Sequence, residues 1–307
     1  MKLEKKVILL AGPTASGKSK LAIKLAQHLN GEIINADSMQ IYKEISILTS
    51  KPKSKDKKII KHHLYGLSSV RDKFSTGHWL QMVVKKIEKQ WSLGQIPIVV
   101  GGTGLYFKAL TEGLVEIPNI SNKVRTEVRK LHRKIGQKNF YKRLVELDPL
   151  TKKSLLPSDS QRSMRAYEVK KFTGKSLFDF RKETKSIFGD DIFKKLFINV
   201  PREFLNKKIE SRVDYMFKNG AVEETKKFLK MKVNKDLSSN KIIGIREIED
   251  YLRGKVTLIE AKELIKQKTR QYAKRQFTWA RGHMKSWEMI YSSDLNDLFR
   301  KAISKIS

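Results

Sequence analysis

The chain has 307 residues, no cysteine and a formal net charge of +33, with 65 Lys and Arg against 32 Asp and Glu. That length is enough for two domains, the charge points to a polyanionic partner, and the missing cysteines exclude disulfides and thiolate sites and fit a reducing cytoplasm. No apolar run approaches a membrane span, and Met1-Lys2-Leu3-Glu4 leads straight into the first strand, so neither a membrane association nor a signal peptide is expected. Because 49 of the basic residues are Lys, a compositional bias is the competing reading of the charge, but the charge is clustered.

The run Val7-Ile8-Leu9-Leu10-Ala11 reads as a strand and residues 20–29 as a helix. Between them stands Gly12-Pro13-Thr14-Ala15-Ser16-Gly17-Lys18-Ser19. Strand, glycine loop and helix are the context of a phosphate-binding loop, a nucleotide-binding motif. The glycines let the backbone turn so that several N–H groups face one anion. The helix start adds its positive end. Lys18 can reach a terminal phosphate, and the Ser19 hydroxyl can ligate Mg²⁺. The motif does not say which phosphates bind.

Gly31-Glu32-Ile33-Ile34-Asn35-Ala36 reads as the next strand, ending at Asp37-Ser38-Met39-Gln40. Ligand residues of open α/β sheets lie past strand carboxyl ends, which lands Asp37 beside the phosphate loop. It could hold Mg²⁺ through water, act as a general base, or close a turn. Residues 51–61 are Lys-rich and read as an exposed loop. His62 and His63 lack the spacing of a helical metal site and are expected to pack or hydrogen-bond. A helix over 78–93 precedes the buried strand Ile96-Pro97-Ile98-Val99-Val100. That strand ends in Gly101-Gly102-Thr103-Gly104-Leu105-Tyr106, which suits either a second phosphate contact or a tight turn.

Residues 123–185 hold 19 Lys and Arg against 7 Asp and Glu, with no strand pattern. Val124, Val128, Leu131 and Ile135 are spaced for one helix face, and Tyr141, Leu144 and Val145 begin another. Asp159 to Glu168 reads as a capped helix with Arg162 and Arg165 one turn apart. This basic section suits a clamp on a nucleic-acid backbone, or a solvated helix face. Leu196-Phe197-Ile198-Asn199-Val200 returns to strand, Pro201 starts a helix, and Gly220 sits where a C-cap would be. Residues 262–285 carry eight Lys and Arg and one acid, interleaved with Tyr272, Phe277 and Trp279. Those aromatics fit base stacking or, for most of them, a buried helix stripe. Residues 286–291 read as a last strand.

The glycine loop resembles that of the tRNA dimethylallyltransferase (isopentenyltransferase) family. So do four further motifs, in the same order. They are Asn35-Ala36-Asp37-Ser38-Met39-Gln40-Ile41-Tyr42, the run from Gly101 to Leu110, Gln161-Arg162 with Arg165, and the run from Thr269 to Trp279. The resemblance spans nearly the whole chain. It implies transfer of a dimethylallyl group from dimethylallyl diphosphate to N6 of the adenosine just 3′ of the tRNA anticodon. It implies an α/β fold: a P-loop core with a parallel sheet flanked by helices, plus an inserted all-helical domain. The expected division is 1–120 and 191–307 for the core and 121–190 for the basic insertion.

The resemblance also implies residue roles. Gly12, Pro13, Thr14, Ala15, Ser16, Gly17, Lys18 and Ser19 would hold the diphosphate, with Ser19 near Mg²⁺. Asp37 would be the general base, and Ser38, Met39 and Gln40 would touch the target base or its neighbours. Thr103 and Arg212 would stabilise the departing diphosphate, with Thr103 also near the tRNA. Arg125, Gln161, Arg162, Ser163, Met164, Arg165, Arg246, Lys274, Arg275, Gln276 and Arg281 would contact the anticodon stem-loop. The chain has Ile245 before Arg246 where the family often has Tyr. A cytoplasmic monomer is expected. Two other classes share parts of this pattern. A P-loop kinase acting on a nucleoside or RNA end would consume ATP, and a non-catalytic RNA-binding protein would need neither Asp37 nor Mg²⁺.

Overall fold

The computed structural model describes residues 5–182 and 184–307. The approach of Met1-Lys2-Leu3-Glu4 to the first strand lies outside them. In chain order the elements begin with β1 (Val7–Ala11), α1 (Lys18–His28), β2 (Gly31–Asn35), α2 (Ser54–Ile59), β3 (His62–His63), α3 (Thr76–Ser92), β4 (Ile96–Gly101) and α4 (Gly104–Glu112). Four helices follow: α5 (Asn122–Leu147), α6 (Thr151–Ser154), α7 (Ser160–Thr173) and α8 (Leu177–Lys182). The chain then forms β5 (Phe193–Asn199), α9 (Arg202–Lys218), α10 (Ala221–Lys230), α11 (Ile245–Leu252), α12 (Leu258–His283), β6 (Glu288–Tyr291) and α13 (Leu295–Ile306). Among the described residues no helix is long and apolar enough to cross a membrane.

Two compact units result. The first contains the residues up to Thr111 together with Phe188–Ser307, and the second is Glu112–Ile187. The first holds a six-stranded sheet in the order β3-β2-β4-β1-β5-β6, with every pair parallel. All five residues of β1 and of β2 are buried, as expected for strands covered on both faces. Ile8, Leu10, Leu21, Leu25, Ile33 and Ile98 belong to one core. The order has a direct consequence. β2, β4 and β1 are neighbours, so their carboxyl ends, at Asn35, Gly101 and Ala11, open on the same side.

The second unit has its own core, formed by Val128, Phe140, Leu144, Ala166, Tyr167 and Val169. A break at Gly136 (φ 72°, ψ 165°) divides α5 between the two expected helical faces. Asp159 caps α7 by accepting the Arg162 N–H at 3.0 Å. The expected bounds of this insertion are 121–190, and the compact unit is Glu112–Ile187. Ile117 and Ile120 pack into its core, whereas Phe188 packs edge-on against Trp91 and Phe193 of the first unit.

One local reading is corrected. Residues 51–61 are not a plain loop, because residues 54–59 form α2. The Asp56 carboxylate accepts the Lys53 N–H at 3.1 Å, and Lys57 and Lys58 fall in the last turn, where cations suit the helix dipole. The histidines hydrogen-bond as expected: His63 Nε2 meets Glu32 Oε2 at 2.6 Å and His62 Nδ1 meets the Ile60 carbonyl at 2.8 Å.

Candidate active site

The loop leaving β1 is held in an anion-ready shape. Ala15 (φ 64°) and Gly17 (φ 90°) both take left-handed backbone conformations, which turns successive N–H groups toward one side. Strain of this kind in a non-glycine residue costs of order 1–2 kcal/mol and persists where function needs it. Lys18 Nζ donates to the Pro13 carbonyl at 2.9 Å, and Arg212 Nη1 donates to the Thr14 hydroxyl at 2.8 Å. Among the described residues, the buried Ser16 Oγ and Arg212 Nε have no hydrogen-bond partner. Buried donors left open in this way point to an absent acceptor.

Asp37 faces these cations. Its position is set by Asn35, which is fully buried at the end of β2. The Asn35 amide accepts the Asp37 N–H at 2.8 Å and donates to the carbonyls of Asp37 and Leu64, both at 3.0 Å. One carboxylate oxygen, Asp37 Oδ1, accepts the Met39 N–H at 2.9 Å. Thr103 fixes the next residue: its Oγ1 accepts the Ser38 N–H at 2.9 Å and donates to Ser38 Oγ at 3.2 Å. Gln40 spends its amide on the carbonyls of Thr49 and Ser50. Lys18, Ser19, Asp37, Tyr65, Gly101 and Arg212 line one cavity of about 340 Å³.

The electrostatics follow from burial. Desolvation lowers the Lys18 ammonium to about 8; Asp37 opposes that shift and Arg212 adds to it. Burial lowers the Arg212 guanidinium too, again against the pull of Asp37. The hydroxyls of Tyr65, Tyr106 and Tyr272 are pushed up, first by burial and then by the Asp37 charge. They stay protonated at neutral pH. Two cations and one carboxylate thus share a poorly hydrated space, an arrangement suited to a multiply charged anion and a proton transfer beside it.

The turn after β4 is tight for a steric reason. A Cβ on Gly102 would collide with Gln276, and one on Gly104 with the Trp279 ring. Helix α12 therefore rests directly on this turn.

The family model described as IPP transferase matches residues 40–283. The chain belongs to this family. A curated tRNA dimethylallyltransferase from Pelagibacter ubique (strain HTCC1062) is 53% identical over 301 residues, covering 98% of this chain and 96% of the relative. A eukaryotic dimethylallyltransferase, solved in snapshots of its action on tRNA, superposes with a TM-score of 0.83 at 30% identity. That match covers 98% of this chain and 77% of that one. The full-length tRNA isopentenylpyrophosphate transferase from Bacillus halodurans gives a TM-score of 0.69 at 29% identity, covering 98% and 97%.

For an IPP transferase family member, the basic candidates fall into outward and inward sets. Lys274, Arg275 and Arg281 are exposed on α12, and Arg246 is exposed in the first turn of α11. In the second unit Gln161 and Arg162 are exposed, and Arg165 is half-buried. Arg162 pairs with Asp159 at 3.2 Å and Arg165 with Glu168 at 3.4 Å. Arg125 Nε is buried with no partner among the described residues. Ser163 points inward and donates to the Asp159 carbonyl at 2.6 Å, while Met164 packs on the second core. The helical period puts Ser163 and Met164 on the face of α7 that packs on the second core and Gln161 and Arg162 on the exposed face.

Gln276 is also turned inward, and Ile245 is buried. Of the α12 aromatics, Phe277 meets Phe197 edge-on and Trp279 stacks on His283. They are packing residues. Sequence reasoning missed the Asn35 clamp and the tyrosines around Asp37. Asn35 lies inside the Asn35–Tyr42 motif, and only its hydrogen bonds to Asp37 and Leu64 in the fold show what its amide does.

Proposed function

We propose that the protein transfers a dimethylallyl group from dimethylallyl diphosphate to N6 of the adenosine 3′-adjacent to the tRNA anticodon, releasing diphosphate. The observation that carries this reading is the meeting of Lys18, Arg212 and Asp37 in one cavity at the carboxyl ends of β1 and β2, in a chain of this family. The N6 amine attacks the allylic carbon, the bond to the diphosphate oxygen breaks, and Asp37 accepts the amine proton. The second Asp37 oxygen serves as the base, while Oδ1 accepts the Met39 N–H. General-base help of this kind contributes about 10² to 10⁴-fold.

The leaving diphosphate gains negative charge as the bond breaks. Lys18, Arg212 and the start of α1 act where that charge develops. Thr103 acts through Ser38 to hold the Asp37 turn in place. The donor set suits Mg²⁺: the Ser19 hydroxyl lines the same cavity and would hold it, which leaves the Asp37 carboxylate for the proton. Among the described residues no cluster of three His, Cys, Asp or Glu could hold a metal alone, so diphosphate oxygens and water would complete the shell. Bound there, Mg²⁺ would neutralise charge on the leaving group.

The target base must leave its stack, at a cost of a few kcal/mol. Backbone contacts from the exposed cations of α7, α11 and α12 offset that cost. The partner in this reading is the anticodon stem-loop, and the working species is a cytoplasmic monomer. The deciding experiment incubates nucleotide-free protein with unmodified tRNA, dimethylallyl diphosphate and Mg²⁺. The expected product is adenosine carrying the mass of one dimethylallyl group, without ATP. Turnover that requires ATP and leaves adenosine unmodified would move the reading to a kinase.

A further inference from the structure

We infer that Gln276 is a positioning residue for the phosphate loop rather than a contact to nucleic acid. Its Nε2 donates to the Gly102 carbonyl at 2.9 Å, and its Oε1 accepts the Thr14 N–H at 2.8 Å. One side chain therefore ties the loop after β1 to the turn after β4. Both ends of the amide are committed, and the side chain is half-buried. The fit is close, because a Cβ on Gly102 would collide with the amide nitrogen. Trp279, three residues further along α12, lies against Gly104 in the same way.

Thr14 is thus fixed twice, by Gln276 at its N–H and by Arg212 at its hydroxyl. With the Thr14 N–H occupied, the anion contacts fall to the later residues of the loop. The same helix carries Lys274 and Arg275 on its exposed side. Gln276 accordingly links the basic helix to the diphosphate cradle, and its loss lets the loop and the Gly102 turn move apart. The turnover arm of the test rests on the transferase reading; the diphosphate arm does not.

Gln276→Met keeps the length of the side chain and removes both hydrogen bonds. The full-length protein and this variant are compared in Mg²⁺ by calorimetry with inorganic diphosphate, by steady-state turnover and by tRNA binding. The expected result is inorganic diphosphate binding about tenfold weaker and kcat/KM for dimethylallyl diphosphate about tenfold to thirtyfold lower, the scale of two lost hydrogen bonds. The tRNA Kd stays within about twofold. Unchanged diphosphate binding overturns the inference. So does a weakened tRNA Kd with diphosphate binding intact, which would return Gln276 to the nucleic-acid surface. If the wild type shows no transfer but Q276M still loses diphosphate binding, the transferase reading fails and the role of Gln276 stands. Should Q276M not fold, Gln276→Leu is read by the same criteria.

Discussion

Arg212 Nη1 donates to the Thr14 hydroxyl at 2.8 Å across 198 residues of sequence, while its Nε is buried without a partner among the described residues. The guanidinium is anchored at one end and open at the other. An anion seated on the loop would complete it. Arg212→Ala and Lys18→Ala are each expected to lower kcat/KM by about 30- to 1000-fold, or about 2–4 kcal/mol of transition-state stabilisation. Steady-state kinetics with dimethylallyl diphosphate checks this. A variant within threefold of wild type would remove that residue from the cradle.

The Lys18 ammonium gives a pH signature. It titrates near 10.5 in the unfolded chain and at about 8 in the fold, lowered chiefly by burial. Below about pH 8 both states are charged and the burial penalty stands. Between about 8 and 10.5 the fold releases the proton while the unfolded chain keeps it, so stability rises with pH in that window. Diphosphate affinity moves the other way, since it needs the charged form. Calorimetry in two buffers at pH 8.5–9 is expected to show proton uptake on diphosphate binding, and Lys18→Met to abolish it.

Asp37→Asn keeps an acceptor for the Met39 N–H but cannot take a proton. The expected loss in kcat is roughly 10² or more, with the tRNA Kd changed little. Single-turnover transfer and equilibrium tRNA binding separate the two effects. Near-normal transfer would leave Asp37 as a turn residue.

Charge is tested by salt. The tRNA affinity is expected to fall steeply with ionic strength, by about 0.7 to 0.9 log units per phosphate contact per log unit of salt. Arg162 is exposed and Arg165 partly so, each lightly held by an acidic neighbour. Neutralising both is expected to flatten the slope by roughly 1.4 to 1.8. A slope that is unchanged in the double variant would make this face of α7 solvated surface.

Much of the core was legible because its signals are local. Strand runs with full burial, glycine punctuation and a Ser or Asp cap each act within a few residues, so β1, β2, β4, β5 and α7 were placed close to where they lie. Residues 51–61 were misread because a single carboxylate, Asp56, is enough to cap a short polar helix. The run from Gln161 to Arg165 was legible as a helix but not residue by residue. Which side faces the core depends on what packs there, and Ser163 and Met164 are on that side.

The sequence by itself determined the chemistry on offer: a phosphate loop with Lys18 and Ser19, an acid at Asp37, a hydroxyl at Thr103 and a large basic excess. Tertiary structure alone decided how those groups meet. Strand order makes β2, β4 and β1 neighbours, which brings Asp37, the Gly102 turn and the phosphate loop together. Helices α9 and α12 then deliver Arg212 and Gln276 to Thr14 from 198 and 262 residues away. A hydrogen bond depends on distance in space, not along the chain. Only folding shows that Gln276, within a basic tract, turns inward to hold the loop that binds the anion.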